Sequence, residues 1–196
     1  MFDVHEVIEK LKKTDPNGFI IESHFQVQFG YALKRVYPDA KNIIFEWSKD
    51  KRRVDLVATV DDEVIGFEFK YFTKKQRLEL NDGVVVDLKK QAAKDLLRIG
   101  VWQDVEQIEY FVMETHDFSK GYCIALTNEI KVFDNVMDTD NLDKEYDISN
   151  GTKVGSEKNR YNKSKKLTHS TKIKGTYDLL HKPYNDYFEQ LIIEIK

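Results

Sequence analysis

In RRVDLVATVDDEVIGFEFKYF, residues 52 to 72, three charged side chains stand where an apolar hairpin would not place them. Asp55 lies between Val54 and Leu56, and Glu68 and Lys70 lie among Phe67, Phe69 and Tyr71. Charged residues on a strand usually form its solvated face, and three features argue against that here. Asp55 is bracketed by Val54, Leu56 and Val57, where a carboxylate is unfavourable unless paired or bound to a cation. The two-residue period of a strand puts Glu68 and Lys70 on one face and Phe67, Phe69 and Tyr71 on the other. Folding about Asp61-Asp62 pairs residue i with about 123 minus i, which sets Asp55 opposite Glu68.

Two carboxylates facing each other across a strand pair repel, and a cation between them removes that repulsion. Mg²⁺, or Mn²⁺ in its place, suits the position: it is hard, takes oxygen ligands, and commonly uses only one or two protein carboxylates while keeping several waters. Such an ion activates water and neutralises charge on a phosphate being displaced. Lys70, two residues beyond Glu68 on the same face, is placed to orient the water or to stabilise the pentacovalent phosphate. Spacing alone does not separate this set from a structural Asp/Glu/Lys cluster.

The elements that must hold these residues are legible around them. Val4, Val7, Ile8 and Leu11 predict a helix over 3–12, closed by Thr14-Asp15-Pro16-Asn17-Gly18. Ile21, Phe25, Phe29, Ala32, Leu33 and Val36 predict a second over 20–36, with Glu22 and Gln26 bordering its apolar stripe and Pro38 closing it. Strands are expected at 42–47, 53–60 and 63–72. Val85, Leu88, Ala92, Leu96 and Ile99 predict a helix over 84–99, and QIEYFVM (107–113) and GYCIALT (121–127) read as two more strands. The order α-β-β-β-α-β-β implies an α/β sandwich with a mixed sheet.

Asp55, twelve intervening residues, then Glu68-Phe69-Lys70, preceded by a helix bearing Glu22 and followed by another helix, resembles the PD-(D/E)XK nuclease superfamily over roughly residues 20 to 127. The resemblance implies a restriction endonuclease-like αβββαβ core, a mixed central sheet flanked by helices. It implies that Asp55, Glu68 and the peptide carbonyl of Phe69 hold the metal, that Glu22 adds a further ligand, and that Lys70 is the catalytic lysine. Gln26, one turn after Glu22, is the alternative to it, and Gln91 resembles the polar residue that some members direct toward the phosphate. Val54 stands where the motif's proline would be. The activity implied is a Mg²⁺- or Mn²⁺-dependent endonuclease acting on DNA, in restriction, defence or repair, and small members of the superfamily often form homodimers. The alternative from another class keeps the fold without the chemistry, as a nucleic-acid-binding or protein-interaction module.

The last third changes character. Residues 129–149 hold seven acidic side chains against two lysines, and residues 151–174 hold eight Lys/Arg against the single Glu157. The basic stretch reads as a mobile loop or long hairpin, within a C-terminal extension (128–196) that closes on the strand-like YFEQLIIEIK. If the site cleaves DNA, Lys153, Lys158, Arg160, Lys163, Lys165 and Lys166 would contact phosphates, and Lys51, Arg52, Arg53, Lys74 and Lys75 would extend the surface. No separate recognition domain is visible, which favours weak or structure-based specificity.

Composition bounds the rest. The 196 residues, 41% hydrophobic, suffice for a single domain with one sizeable core. With 31 Lys plus Arg against 34 Asp plus Glu, any basic surface must be local. The single Cys123 and five scattered histidines exclude an internal disulfide and a structural zinc site. A start of MFDVHEVIEKLKK and no long apolar run point to a cytoplasmic protein with neither a secretory signal nor a membrane span.

Overall fold

The computed structural model describes residues 1–79, 83–90, 93–134, 144–161 and 166–196. Among them are three α-helices, α1 (Val4–Thr14), α2 (Glu22–Val36) and α3 (Lys94–Glu109). The strands of the first half are β1 (Lys41–Lys49), β2 (Arg52–Val60), β3 (Glu63–Phe72), β4 (Gln76–Glu79) and β5 (Val85–Leu88). They are followed by β6 (Lys120–Thr127), β7 (Gly151–Lys153), β8 (Glu157–Tyr161), β9 (Leu167–Lys172), β10 (Tyr177–Leu179), β11 (His181–Pro183) and β12 (Glu189–Ile195). The protein is mixed α/β, with a six-stranded mixed sheet in the order β1-β2-β3-β6-β12-β11. β3 and β6 are parallel, joined by a crossover through α3, and the other neighbours are antiparallel.

The meander that opens the sheet is set by two two-residue turns. Asp50-Lys51 (φ 52° and 63°) joins β1 to β2, and Asp61-Asp62 (φ 50° and 64°) joins β2 to β3. Positive φ at both central residues is the type I′ geometry whose twist matches that of the flanking strands, and Asp tolerates it better than most residues. The second turn fixes the pairing Val60↔Glu63 through Leu56↔Phe67, the register expected from the sequence.

Both faces of the sheet are covered. α1 and α2 pack Val7, Ile8, Leu11, Phe25, Phe29 and Leu33 onto one face, against Leu56, Phe67, Phe69 and Tyr71. The other face takes α3, through Trp102, Val105 and Ile108, together with Phe111 and the C-terminal residues Tyr146, Ile148 and Tyr177. Asp3 caps α1 by accepting from the His5 N–H at 2.8 Å. α2 starts at Glu22, so Ile21, expected in its apolar stripe, precedes the helix and is 51% exposed.

Two predicted elements are corrected. Of the helix expected over 84–99, Val85–Leu88 is a hairpin strand that pairs antiparallel with Gln76–Glu79, 94–99 opens α3, and Ala92 lies outside the described residues. The strand expected over 107–113 is instead the end of α3 and a π-helical turn over Tyr110–Glu114. Its β-branched and aromatic residues are buried from a helix, where Ile108 and Phe111 pack on the sheet, so tertiary packing overrides local preference. The basic stretch contains a real hairpin, β8 with β9. No helix among the described residues is long and apolar enough to cross a membrane.

Candidate active site

The β2–β3 ladder ends at Leu56↔Phe67, one residue short of Asp55. There the alternation of β2 also breaks. Leu56 and Ala58 face the α1–α2 side and Val57 the α3 side, yet Val54 also joins the α3 side. Asp55 sits in that break, half-buried, and its Oδ2 accepts from the Phe69 N–H at 2.8 Å. Glu22, in the first turn of α2, repeats the arrangement one step along, its Oε2 accepting from the Tyr71 N–H at 2.8 Å. Two carboxylates thus take the place of the missing strand partner, satisfying backbone donors that separation of the strands would leave unpaired. The N–H and C=O of one strand residue leave on the same edge, so the Phe69 carbonyl is directed to the same opening.

Glu68 and Lys70 emerge on the opposite face from Phe67 and Phe69, toward α3. Glu68 is 4% exposed, and Gln107 Nε2 donates both to its Oε1 and to the Arg53 carbonyl, so one α3 side chain bridges β2 and β3. Lys70 Nζ lies 2.9 Å from Oδ2 of Asp104, a residue 9% exposed one turn before Gln107 on α3. Asp104, Glu22 and Glu68 therefore surround one ammonium, and Asp55 adds its charge to theirs. Burial pushes Glu68 up to about 10, with Asp104 and Asp55 adding and Gln107 and Lys70 opposing. Burial likewise pushes Asp104 up to about 7 against the pull of Lys70. Burial raises Glu22, with Asp55 and Glu46 adding to it against the Tyr71 N–H and Lys70. For Lys70, burial pulls the ammonium down, and Asp104, Glu22 and Glu68 together outweigh it, so its proton is held more tightly than usual.

Asp55, Glu68, Lys70 and Glu22 are thus brought together around the end of the ladder. Gln26 is buried on α2 one turn from Glu22, and Gln91 lies outside the described residues. Asp104 and Gln107 are absent from the set expected from the sequence. Their signal is the series Gly100, Asp104, Gln107, spaced four and three along one face of the helix; placing that helix ten residues early hides it.

No family model, curated protein or solved structure matches the chain.

The donor chemistry suits a hard divalent cation. Asp55, Glu68 and the Phe69 carbonyl offer only oxygen, and the bonds just described use one oxygen of each carboxylate. The crowding that raises Glu68 is what a cation would relieve. Among the described residues no group of three or more His, Cys, Asp or Glu is arranged to hold a metal ion. The donors therefore suit a cation held by carboxylate and carbonyl oxygens and completed by water.

The basic residues divide. Lys158 is 7% exposed, its Nζ donating to the Glu145 carbonyl at 3.0 Å and lying 4.4 Å from the centre of the Trp102 ring. This burial, which also lowers its pKa, withdraws Lys158 from the expected DNA-contacting group. Lys153 pairs with Asp147 at 2.5 Å, Arg160 with Asp95, and Arg53 with Glu46 at 2.7 Å. Arg52 stacks 4.2 Å from the centre of the Tyr110 ring. Lys51, Lys74, Lys75 and Lys166 are exposed, and Lys163 and Lys165 lie outside the described residues.

Proposed function

We propose that the protein is a metal-dependent nuclease that hydrolyses DNA phosphodiester bonds on a restriction endonuclease-like core. The single observation that carries this reading is the environment of Glu68, a buried carboxyl crowded by Asp55 and Asp104 at the point where the β2–β3 ladder opens. A fold gains nothing from such crowding unless a ligand offsets it. With the β4–β5 hairpin between β3 and α3 set aside, the order α2-β1-β2-β3-α3-β6 follows the αβββαβ pattern and supports the same reading.

In this reading Asp55, Glu68 and the Phe69 carbonyl would hold Mg²⁺ or Mn²⁺, which would supply Lewis-acid neutralisation of charge on the phosphate being displaced. Asp55 is oriented by the Phe69 N–H and Glu68 by Gln107. Burial and the neighbouring carboxyl groups favour the protonated form of Glu68, and a bound cation would favour its charged form. Lys70 presents a fixed ammonium toward negative charge accumulating on the phosphate oxygens. Exposed lysines such as Lys51, Lys74, Lys75 and Lys166 attract the DNA backbone without reading sequence.

The test incubates wild type and Glu68→Ala with plasmid and with branched DNA, in Mg²⁺ or Mn²⁺ and in chelator. Cleavage that needs the ion and disappears in Glu68→Ala is the expected result; cleavage that survives the substitution overturns the assignment. The alternative, a binding module without chemistry, draws on the Lys70–Asp104 pair, which already occupies the catalytic cation. DNA binding by the wild type with no cleavage under any ion would favour it.

A further inference from the structure

α3 lies against the Glu68–Lys70 face with its backbone as well as its side chains. Gly100 leaves room for the lysine stem: a Cβ at that position would stand 2.9 Å from Lys70 Cε. One turn on, the Asp104 carboxylate meets Lys70 Nζ at 2.9 Å. A lysine has a flexible four-carbon stem and ordinarily samples many rotamers. Lys70 is instead given room at Cε and tied at Nζ, both by the same helix.

We infer that Asp104 is a positioning residue for Lys70, fixing the ammonium over the site from a helix separate in sequence from the strand motif, with Gly100 as the space that permits it. The catalytic consequence rests on the nuclease reading; the positioning itself does not. Asp104 is buried, and the Lys70 ammonium is what draws its carboxyl toward the charged form. Glu22 and Glu68 also attract the ammonium, and Asp104 is the carboxylate that bonds it directly, at 2.9 Å.

The test is nitrogen-15 NMR of lysine Nζ groups in the full chain, with Lys70→Arg identifying the Lys70 signal, alongside steady-state cleavage. In wild type the Lys70 Nζ resonance should be displaced from those of the exposed lysines. Asp104→Asn should return it to their position, and Gly100→Ala should shift it with Asp104 intact, which keeps the test available if Asp104→Asn folds poorly. In cleavage, Asp104→Asn should lower kcat up to about a hundredfold while leaving KM within about twofold, because the substitution displaces a reacting group and leaves substrate binding as it was. A Lys70 resonance unmoved by both substitutions overturns the inference, as does an unchanged kcat in an active enzyme. Absence of cleavage by wild type defeats the nuclease reading instead and leaves the NMR result to decide the positioning.

Discussion

On one face of β3, Phe67, Phe69 and Tyr71 are buried among the aromatic rings of α2, with Phe29 5.1 Å from Phe67 and 5.0 Å from Phe69 between ring centres. On the other face of the same strand, Glu68 and Lys70 meet Asp104 and Gln107 of α3. The first face is apolar burial, each large side chain contributing about 1.5–3 kcal/mol. The second confines several carboxyl groups with one ammonium, an arrangement that folding alone disfavours. Adjacent residues thus serve opposite ends, and substitutions on the two faces should move stability in opposite directions.

The largest effect is expected on the aromatic face. Phe67→Ala should lower the unfolding free energy by about 3–5 kcal/mol in denaturant titration, and a loss below about 1 kcal/mol would erase the contrast between the faces. Next, Glu68→Gln should raise stability by about 2 kcal/mol at pH 8 while abolishing cleavage. Folded Glu68 holds its proton more tightly than the unfolded carboxyl. That proton therefore stabilises the fold fully below about pH 4.5, and the stabilisation is lost as pH rises toward 10. The advantage of Gln should accordingly shrink toward zero as pH falls to 4.5, and a gain constant with pH would locate its origin elsewhere.

The two faces also differ in how far the sequence reveals them. The hairpin, its turn, its register and the facing of Glu68 and Lys70 are local, set by strand period and two aspartates, and all are legible. Asp104 and Gln107 reach the site from α3, and the helix-like spacing of Val85 and Leu88 draws the predicted helix ten residues toward the N-terminus. What decides between strand and helix there is pairing with Gln76–Glu79, which no single-residue preference encodes. Lys158 is similar: its charge is plain in the sequence, but its partners Trp102 and the Glu145 carbonyl are not.

Two smaller effects lie at the margins of the two faces. Gln107→Ala should weaken Mn²⁺ binding about tenfold by calorimetry, the usual consequence of releasing a residue that orients a ligand, with a far smaller change in stability than Phe67→Ala. Charge reversal at Lys51, Lys74, Lys75 or Lys166 should weaken DNA binding and reduce its salt slope by about one for each phosphate no longer neutralised. Lys158→Glu should instead lower the melting temperature, since its charge is buried over Trp102.

Asp55 and Glu68, held close at the open end of the ladder, are proposed above all to bind a divalent cation. Titration of wild type and Glu68→Gln with Mn²⁺, followed by electron paramagnetic resonance, tests this without reference to any substrate. A saturable site is expected in wild type and should be lost in Glu68→Gln although the variant is folded and more stable. Equal binding by the two proteins, or none by wild type, would contradict it.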